Sequence, residues 1–274
     1  MSHLRGSLVD LPLVTDMNVA GVPVRLYRPV DDAKPGPLVV YFHGGGWVHG
    51  SLDKHEALCR DMAHRTTASV LAVEYRKAPE HPYPAALDDA WQVVLTMLTH
   101  PVDTGTDPLR VAVWGDSAGA NLAAVVSRRA RDAELSLCHQ LLVCPATDAA
   151  MTSASYAEFA TGHGMTASDM AWYYAQYRAG SVPDNEPDLS PLHLEDKRNL
   201  APATIVTAEN DVLRDEGEEY GRQLMTAGVD VSMRRFPGIH GFFGLPGLFD
   251  HAEGARVFAA RRLRAALHGP DSPH

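Results

Sequence analysis

The sequence has no hydrophobic run that approaches the roughly 18 residues needed to cross a membrane as a helix. Its first stretch, Met1–Gly21, carries charges throughout and lacks the apolar core of a secretory signal. We therefore expect a cytoplasmic protein without a membrane span.

Cysteine is also scarce: the 274 residues include three, Cys59, Cys138 and Cys144, and none of them forms a C-x-x-C pair. A set this small and odd in number provides neither a disulfide framework nor a zinc site, so we expect reduced thiols. The 14 histidines contain no H-E-x-x-H motif. The sequence therefore predicts no bound metal.

Basic residues are outnumbered by acidic ones. With 24 Lys and Arg against 34 Asp and Glu, the formal net charge is −10. Nucleic-acid binding requires a basic face, so we do not expect a nucleic-acid partner.

Nucleotide-binding glycine motifs are missing as well. The loop "HGGGW" (His43–Trp47) follows a strongly apolar stretch, but the sixth position counted from Gly44 is His49, and no Lys-Ser/Thr pair follows. The loop therefore matches neither G-x-x-x-x-G-K-[ST] nor G-x-G-x-x-G. No nucleotide cofactor is predicted, and the glycines need another explanation.

The sequence does contain a regular alternation of strand and helix patterns. Two β-like stretches, Leu11–Val19 and Val22–Tyr27, predict an antiparallel hairpin at a sheet edge. Apolar strands then alternate with helices, which is typical of a mostly parallel sheet covered by helices on both faces. One α/β domain is predicted over residues 1–274. Its later strands are predicted at 38–42, 68–76, 109–115, 139–145, 203–210 and 229–238, and its helices at 51–66, 84–100, 118–132, 168–180, 215–228 and 251–267.

Local signals mark two of the helix starts. Asp53 and Glu56 form a capping pattern for the first helix, and Pro84 suits the first position of the second. An irregular segment at about 148–200 separates two strands. We expect it to form a cap over the carboxyl edge of the sheet, where ligands bind in open α/β folds.

The clearest catalytic signal is the pentapeptide Gly115–Gly119, "GDSAG", which matches G-x-S-x-G between a predicted strand and a predicted helix. This is the context of a nucleophile elbow, where flanking glycines leave room for a serine in a strained backbone conformation. Ser117 is therefore the predicted nucleophile.

A nucleophilic serine needs a base, and the base needs an orienting acid. In this fold type both follow the serine, first the acid and then the histidine. Asp211 and His240 each follow a predicted strand, so we expect them at the same sheet edge as Ser117. The rival acids are Glu209 and Asp215, and the less suitably placed histidines are His43, His251, His268 and His274.

The glycines of "HGGGW" match the HGGG type of oxyanion loop. We expect the backbone N–H groups of Gly45 and Gly46, together with that of Ala118, to stabilise the negative oxygen that develops during acyl transfer.

Taken together, the chain resembles the hormone-sensitive-lipase family of α/β-hydrolases, also called bacterial esterase group IV, from about residue 37 to the last helix. The motifs that carry the resemblance are "HGGGW", "YRKAPEHPYPAALDDA" (Tyr75–Ala90), "GDSAGAN" (Gly115–Asn121), "SPL" (Ser190–Leu192), "TAENDVLRDEG" (Thr207–Gly217) and "HGFF" (His240–Phe243). The resemblance implies an α/β-hydrolase fold, no cofactor and hydrolysis of carboxylic esters. Matched residue by residue, it implies the triad Ser117, Asp211 and His240 and the oxyanion donors Gly45, Gly46 and Ala118.

The chain departs from the family pattern at three points. Ala120 replaces the last glycine of GDSAGG, and Val212 stands where proline is common; neither is expected to matter much. Only 42 residues precede His43, and the hairpin accounts for them, so we expect a small cap built from the 148–200 insertion and a more open site. The residues predicted to line the substrate pocket are Trp47, Met165, Trp172, Tyr173, Tyr177 and Phe242.

The sequence thus predicts a serine carboxylesterase for small or short-acyl esters, working as a monomer or homodimer. An amide-directed deacetylase or an arylformamidase with the same triad is the alternative, because esters and activated amides use the same groups. A more remote alternative is a non-catalytic small-molecule receptor on the same fold. Asp88, Asp89 and Asp116 are interpreted as structural.

Overall fold

A single mixed sheet of eight strands forms the centre of the fold. The computed structural model describes residues 4–30, 35–101, 104–178, 180 and 182–269. The strands are β1 (Leu13–Val19), β2 (Val22–Arg28), β3 (Gly36–Phe42), β4 (Ser69–Val73), β5 (Thr106–Asp116), β6 (His139–Val143), β7 (Ala203–Asn210) and β8 (Val231–Ile239). They lie side by side in the order β1-β2-β4-β3-β5-β6-β7-β8.

The strand pairing confirms the predicted fold class. β1 and β2 form the antiparallel hairpin, and β2 pairs antiparallel with β4. All remaining pairs, from β4 across to β8, are parallel. Because parallel strands end at the same edge, the loops that follow β3, β5, β7 and β8 converge on one side of the sheet.

Helices cover both faces of the sheet. They are α1 (Leu52–Thr66), α2 (Ala85–Thr99), α3 (Ala118–Asp132), α4 (Ala154–Glu158), α5 (Ala167–Arg178), α6 (Arg214–Thr226) and α7 (His251–His268). Side chains alternate along each strand, so Leu38, Val40 and Phe42 of β3 pack with α2 and α3, whereas Val39 and Tyr41 pack with α1 and α7. The central strands β3, β4, β6 and β7 are therefore buried along most of their length, as the sequence pattern indicated.

The start of α1 differs from the prediction. Ser51 is the N-cap residue, and its Oγ accepts a hydrogen bond from the Lys54 backbone N–H at 3.3 Å. Asp53 forms an ion pair with Arg25 instead, and Glu56 pairs with an arginine one turn further along α1. The predicted Asp53/Glu56 capping box was wrong because a serine lay nearer to the unpaired N–H groups of the first turn.

The start of α2 lies one residue later than predicted. The helix begins at Ala85, and Pro84 occupies the N-cap position rather than the first helical one. The neighbouring Tyr83 backbone N–H donates to the Tyr177 carbonyl oxygen at 2.7 Å. This bond ties the beginning of α2 to the last turn of α5.

The segment between β6 and β7 contains α4, α5 and a short 3₁₀ turn at Pro191–His193. The predicted helix at 168–180 corresponds to α5; Ala179, within its predicted end, lies outside the described residues. Met170, Tyr174 and Tyr177 are the buried residues of α5, at the spacing of one helix face. No helix in the described part of the chain is both long and apolar enough to cross a membrane.

Candidate active site

The turn between β5 and α3 holds Ser117 in an unusual backbone conformation, with φ 56° and ψ −121°. Its backbone N–H donates to the Val143 carbonyl oxygen at 2.8 Å. The turn requires its glycines: a Cβ on Gly119 would lie 2.0 Å from the Phe42 carbonyl oxygen, and one on Gly115 would lie 2.1 Å from the Gly119 carbonyl oxygen. The chain therefore forms a strained strand-to-helix elbow with the serine at its tip.

Ser117, His240 and Asp211 form one hydrogen-bonded chain. His240 Nε2 lies 2.9 Å from Ser117 Oγ, and His240 Nδ1 lies 2.8 Å from Asp211 Oδ2. The second carboxylate oxygen of Asp211 accepts the Leu213 backbone N–H at 3.0 Å. Although 123 residues separate the serine from the histidine, the loops after β5, β7 and β8 bring all three side chains together.

The rival acids are occupied elsewhere. Asp215 pairs with Arg214 and accepts the Ser155 backbone N–H at 2.9 Å. Glu209 is exposed near the end of β7. Asp211 is the carboxylate that contacts His240, and it is buried.

The other histidines take different positions. His43 is buried with its Nδ1 2.8 Å from the Gly44 carbonyl oxygen, and burial, with nearby His55, lowers the pKa of His43 to about 3. It is therefore a neutral structural group below the loop. His251 and His268 lie at opposite ends of α7, and His274 lies outside the described residues.

The protonation of His240 reflects two opposing influences. Burial favours the neutral imidazole, but the charge of Asp211, its hydrogen bond and the charge of Asp116 outweigh burial and raise the pKa of His240 above its usual value. A histidine held in this way accepts a proton more readily than a free one.

The "HGGGW" loop turns sharply beside the elbow. Gly45 and Gly46 have φ values of +123° and +61°. A Cβ on Gly45 would lie 2.5 Å from the His49 carbonyl oxygen, and one on Gly44 would lie 2.3 Å from Asp116 Oδ2. Asp116 Oδ1 accepts the Gly44 backbone N–H at 3.0 Å, which fixes the loop to the elbow.

Three backbone donors in this region are unused. Within the described residues, the N–H groups of Gly45, Gly46 and Ala118 have no hydrogen-bond acceptor. Unpaired backbone donors are uncommon where the chain is buried. Their clustering at the loop and at the first residue of α3 suits an anionic oxygen atom.

A cavity of about 280 Å³ is lined by Ser117, His240, Gly44 and Gly45, among others. Of the six predicted pocket residues, Met165 lies in its wall. Tyr173 contacts Gly46, and Trp172 stacks beside His49, which itself lines the cavity.

The other three predicted pocket residues are packed in the protein interior. Trp47 and Tyr177 are fully buried and stack with ring centroids 4.5 Å apart. Phe242 is buried beside Phe236. Each of the three contributes to packing around the site rather than to the cavity wall.

Several cavity residues escaped the sequence analysis. His49 lies two residues after the glycine loop, and Cys144 directly follows β6. Asp211 was identified because it follows a strand, and the same reasoning would have pointed to Cys144. Arg5 and Lys54 also line the cavity. Arg5 gives no local signal, because it reaches the cavity through contacts far away in the sequence.

One group of side chains has the composition of a metal site. The ligand atoms of Cys144, Asp211 and His240 lie within 4.8 Å of one another. However, Asp211 and His240 are directly hydrogen-bonded at 2.8 Å, which leaves no space for an ion between them. Burial, followed by the charge of Asp211, raises the pKa of the Cys144 thiol, so the sulfur is not the thiolate that a metal requires.

The sheet order, the elbow and the hydrogen-bonded Ser117, His240 and Asp211 define an α/β hydrolase of the serine type. A family model described as the alpha/beta hydrolase fold matches residues 39–244. The chain belongs to the hormone-sensitive-lipase-like esterase family of this superfamily.

Individual relatives are similar over most of the chain. A carboxylic ester hydrolase of Mycobacterium tuberculosis, LipN, is 43% identical over 244 residues, which make up 85% of this chain and 65% of LipN. An ethyl acetate hydrolase of Pseudomonas putida is 36% identical, covering 90% of this chain and 79% of the relative. The structure of LAE6, an α/β hydrolase from the metagenome of Lake Arreo, superposes with a TM-score of 0.92 at 35% identity, over 96% of this chain and 85% of LAE6.

Proposed function

We propose that this protein is a serine carboxylic ester hydrolase that cleaves small or short-acyl esters through an acyl-enzyme. The observation that carries the proposal is the position of His240, 2.9 Å from Ser117 Oγ and 2.8 Å from Asp211 Oδ2, at the wall of a cavity. A serine hydroxyl is a weak nucleophile unless a base removes its proton, and this arrangement provides the base and its orienting acid.

In the first half-reaction, Ser117 Oγ attacks the ester carbonyl carbon while His240 Nε2 takes the hydroxyl proton. Asp211 holds the other ring nitrogen as the N–H tautomer and stabilises the imidazolium that forms. His240 then donates its proton to the leaving alkoxide, and the alcohol departs. Water then attacks the acyl carbon while His240 Nε2 removes one of its protons. The bond from the acyl carbon to Ser117 Oγ breaks, His240 returns the proton to that oxygen, and the acyl group leaves as a carboxylic acid.

The carbonyl oxygen becomes negative in both tetrahedral intermediates. The N–H groups of Gly45, Gly46 and Ala118, which have no acceptor within the described residues, are the donors proposed to stabilise it. Losing one donor of this kind costs roughly a hundredfold or more in kcat. The strained φ at Ser117 and the two positive φ values of the loop serve this arrangement.

The size of the cavity supports the proposed substrate class. A volume of about 280 Å³ is small for a ligand site, which suits a short acyl chain. The name of the Pseudomonas putida relative, ethyl acetate hydrolase, concerns an ester of that size. We further propose that the chain is one domain whose segment 148–200 serves as a cap, since α5 of that segment reaches Gly46 through Tyr173.

The location and assembly of the enzyme are part of the same proposal. We place it in the cytoplasm as a monomer or homodimer. Its three cysteines are free, and Cys59 and Cys144 are buried, as expected for a protein that does not depend on disulfides.

Turnover of p-nitrophenyl acetate by the wild type and by Ser117→Ala tests the proposal. We expect hydrolysis by the wild type and a loss of at least a thousandfold in the variant. The control is Ser136→Ala, which removes an exposed hydroxyl on the loop after α3 and should behave as the wild type. Equal activity of wild type and Ser117→Ala, or no activity of the wild type on any short acyl ester, would refute the proposal.

Product analysis on a matched panel separates ester from amide chemistry. The panel contains acetyl esters, acetamides and formamides of the same aromatic group. We expect the ester kcat/KM to be the highest of the three. A higher value for the amides would assign the triad to deacetylation or to formamide hydrolysis.

A further inference from the structure

The cavity that contains Ser117 has a positively charged wall. Arg5 and Lys54 line it together with His49 and His55. Asp116 is the one carboxylate among its described lining residues. Asp116 accepts hydrogen bonds from the Tyr41 hydroxyl at 2.5 Å and from the Gly44 backbone N–H. It keeps its negative charge, but among the described residues it forms no ion pair with Arg5 or Lys54.

Arg5 is held at the cavity by backbone contacts on either side of it. The Leu4 carbonyl oxygen accepts the Gly247 N–H at 3.0 Å, and the Val9 carbonyl oxygen accepts Arg60 Nη1 at 3.2 Å. The guanidinium of Arg5 itself donates to the backbone carbonyl of Lys54. The residues before β1 therefore do more than lead into the hairpin: they bring a cation to the wall of the active-site cavity.

Neither cation has a carboxylate partner in the part of the chain that the structure describes. Within the described residues, no carboxylate oxygen lies within 4.0 Å of the Arg5 or Lys54 side chain, whereas Arg25, Arg60 and Arg65 nearby all form ion pairs. Arg5 retains guanidinium donors beyond the one that Lys54 accepts. Two cations that form no ion pair among the described residues thus line the same cavity as Ser117.

The position of Lys54 adds to this field. It lies in the first turn of α1, where the helix dipole is already positive and a cation is unfavourable. Glu74, which accepts the Leu52 N–H of this turn, is itself paired with Lys77. An anion in the cavity would relieve the unfavourable placement of Lys54.

We propose that Arg5 and Lys54 form a subsite for a carboxylate, so that the enzyme prefers esters that carry a negative charge on the part of the substrate reaching these two side chains. The inference rests on the proposed ester hydrolase function and specifies its substrate class. The net charge of −10 does not oppose it, because exposed charges more than about 8 Å away are largely screened at physiological ionic strength.

Matched pairs of esters test the subsite from both sides of the scissile bond. On the alcohol side the pair is 4-acetoxybenzoate and its neutral primary amide, and on the acyl side it is monophenyl glutarate and its primary amide. For each pair the measured quantity is the ratio of kcat/KM for the anion to that for the neutral ester. The double variant Arg5→Gln/Lys54→Gln is compared with Arg198→Gln/Arg222→Gln, which removes two exposed cations outside the cavity wall.

For at least one pair, we expect the ratio to fall about tenfold in Arg5→Gln/Lys54→Gln and to stay within about twofold of wild type in the control. The single variant Lys54→Glu should lower this ratio by at least the same factor as Arg5→Gln/Lys54→Gln. In the wild type the ratio should decrease as salt rises to about 1 M, where charges are screened beyond about 3 Å.

An unchanged ratio for both pairs in the cavity variants, or an equal fall in the control, would overturn the subsite while leaving the esterase proposal intact. If the wild type hydrolyses none of the four esters, the proposed function is refuted, and the subsite with it.

Discussion

Gly46 of the glycine loop lies directly beneath the ring of Tyr173 from α5. A Cβ added to Gly46 would come within 2.1 Å of Tyr173 Cδ1. The ring of Tyr173 also meets the edge of His49, with centroids 5.9 Å apart. The helix inserted between β6 and β7 therefore packs on the loop proposed to hold the oxyanion, and only a residue without a side chain permits that contact.

Gly46→Ala is expected to lower kcat more than it changes KM. The new methyl group must displace either the loop or Tyr173, and an alanine at φ +61° adds backbone strain of about 1 kcal/mol. A displaced N–H stabilises the transition state less, so we expect kcat to fall at least tenfold with KM within about threefold. Steady-state kinetics with p-nitrophenyl acetate measure both.

The variant Gly46→Ala/Tyr173→Ala provides the control for this prediction. If the clash with the ring causes the defect, removing the ring should restore part of kcat relative to Gly46→Ala, which a double-mutant cycle with Tyr173→Ala quantifies. A Gly46→Ala enzyme with normal kcat and raised KM would show that the loop binds the substrate and not the oxyanion.

Asp211→Asn is expected to reduce kcat by about a thousandfold or more, because the asparagine no longer holds His240 in the required tautomer. The kcat/KM of the wild type should increase with pH as His240 loses its proton. Since Asp211 raises the pKa of His240, the residual activity of the variant should reach its plateau at a lower pH than that of the wild type.

A pH–rate profile of kcat/KM for both enzymes tests the sign of this shift. Asp215→Asn, at the rival carboxylate, is the matched control and should keep the wild-type profile. A variant profile displaced to higher pH would mean that Asp211 does not stabilise the charged imidazole.

Ser117→Gly is expected to be more stable than Ser117→Ala. Both variants lack the proposed nucleophilic hydroxyl, but only glycine adopts φ 56°, ψ −121° without strain. The relief of strain exceeds the extra chain entropy of glycine in the unfolded state, for a net gain of about 1 kcal/mol. Urea denaturation gives the difference; if Ser117→Gly is the less stable of the two, the elbow is not strained.

Asp89→Ala should destabilise the fold by about 2 kcal/mol. Asp89 is buried, accepts the Arg76 backbone N–H at 2.8 Å and pairs with the Arg76 guanidinium. Its neighbour Asp88 provides the control: it is half exposed and makes a single ion pair with Arg129 at 3.3 Å. We expect Asp88→Ala to cost less than about 1 kcal/mol. Equal losses in thermal or urea unfolding would contradict the structural role assigned to Asp89.

The fold could be predicted from the sequence because its signals are local. Strands β3 to β7 are apolar runs, and the longer helices each have their own periodicity, so the order of these elements follows directly. The five-residue α4 was not predicted, because it lies within the irregular segment at about 148–200. Parallel topology places the loops after the strands at one edge of the sheet. This was enough to predict that Asp211 and His240 lie beside Ser117 and that Asp215 does not. The glycines at 115 and 119 were informative because neighbouring backbone atoms occupy the space of their side chains.

What the sequence could not reveal depends on packing between distant segments. Trp47 and Met165 are both apolar neighbours of the site, yet only Met165 lines the cavity, because Trp47 is covered by Tyr177. Arg5 reaches the cavity because Gly247 and Arg60 hold the segment around it. Contacts of this kind leave no pattern in the residues next to Arg5.

Covalent labelling determines whether Ser117 is the nucleophile. The protein is incubated with a p-nitrophenyl alkylphosphonate, which leaves a stable phosphonyl group on an activated serine, and the labelled peptide is identified by mass spectrometry. We predict one phosphonyl group per chain, located on Ser117, with activity lost in step with labelling and no label in Ser117→Ala or in His240→Ala. Inactivation with the group on another residue, or full labelling of Ser117→Ala, would show that Ser117 is not the nucleophile.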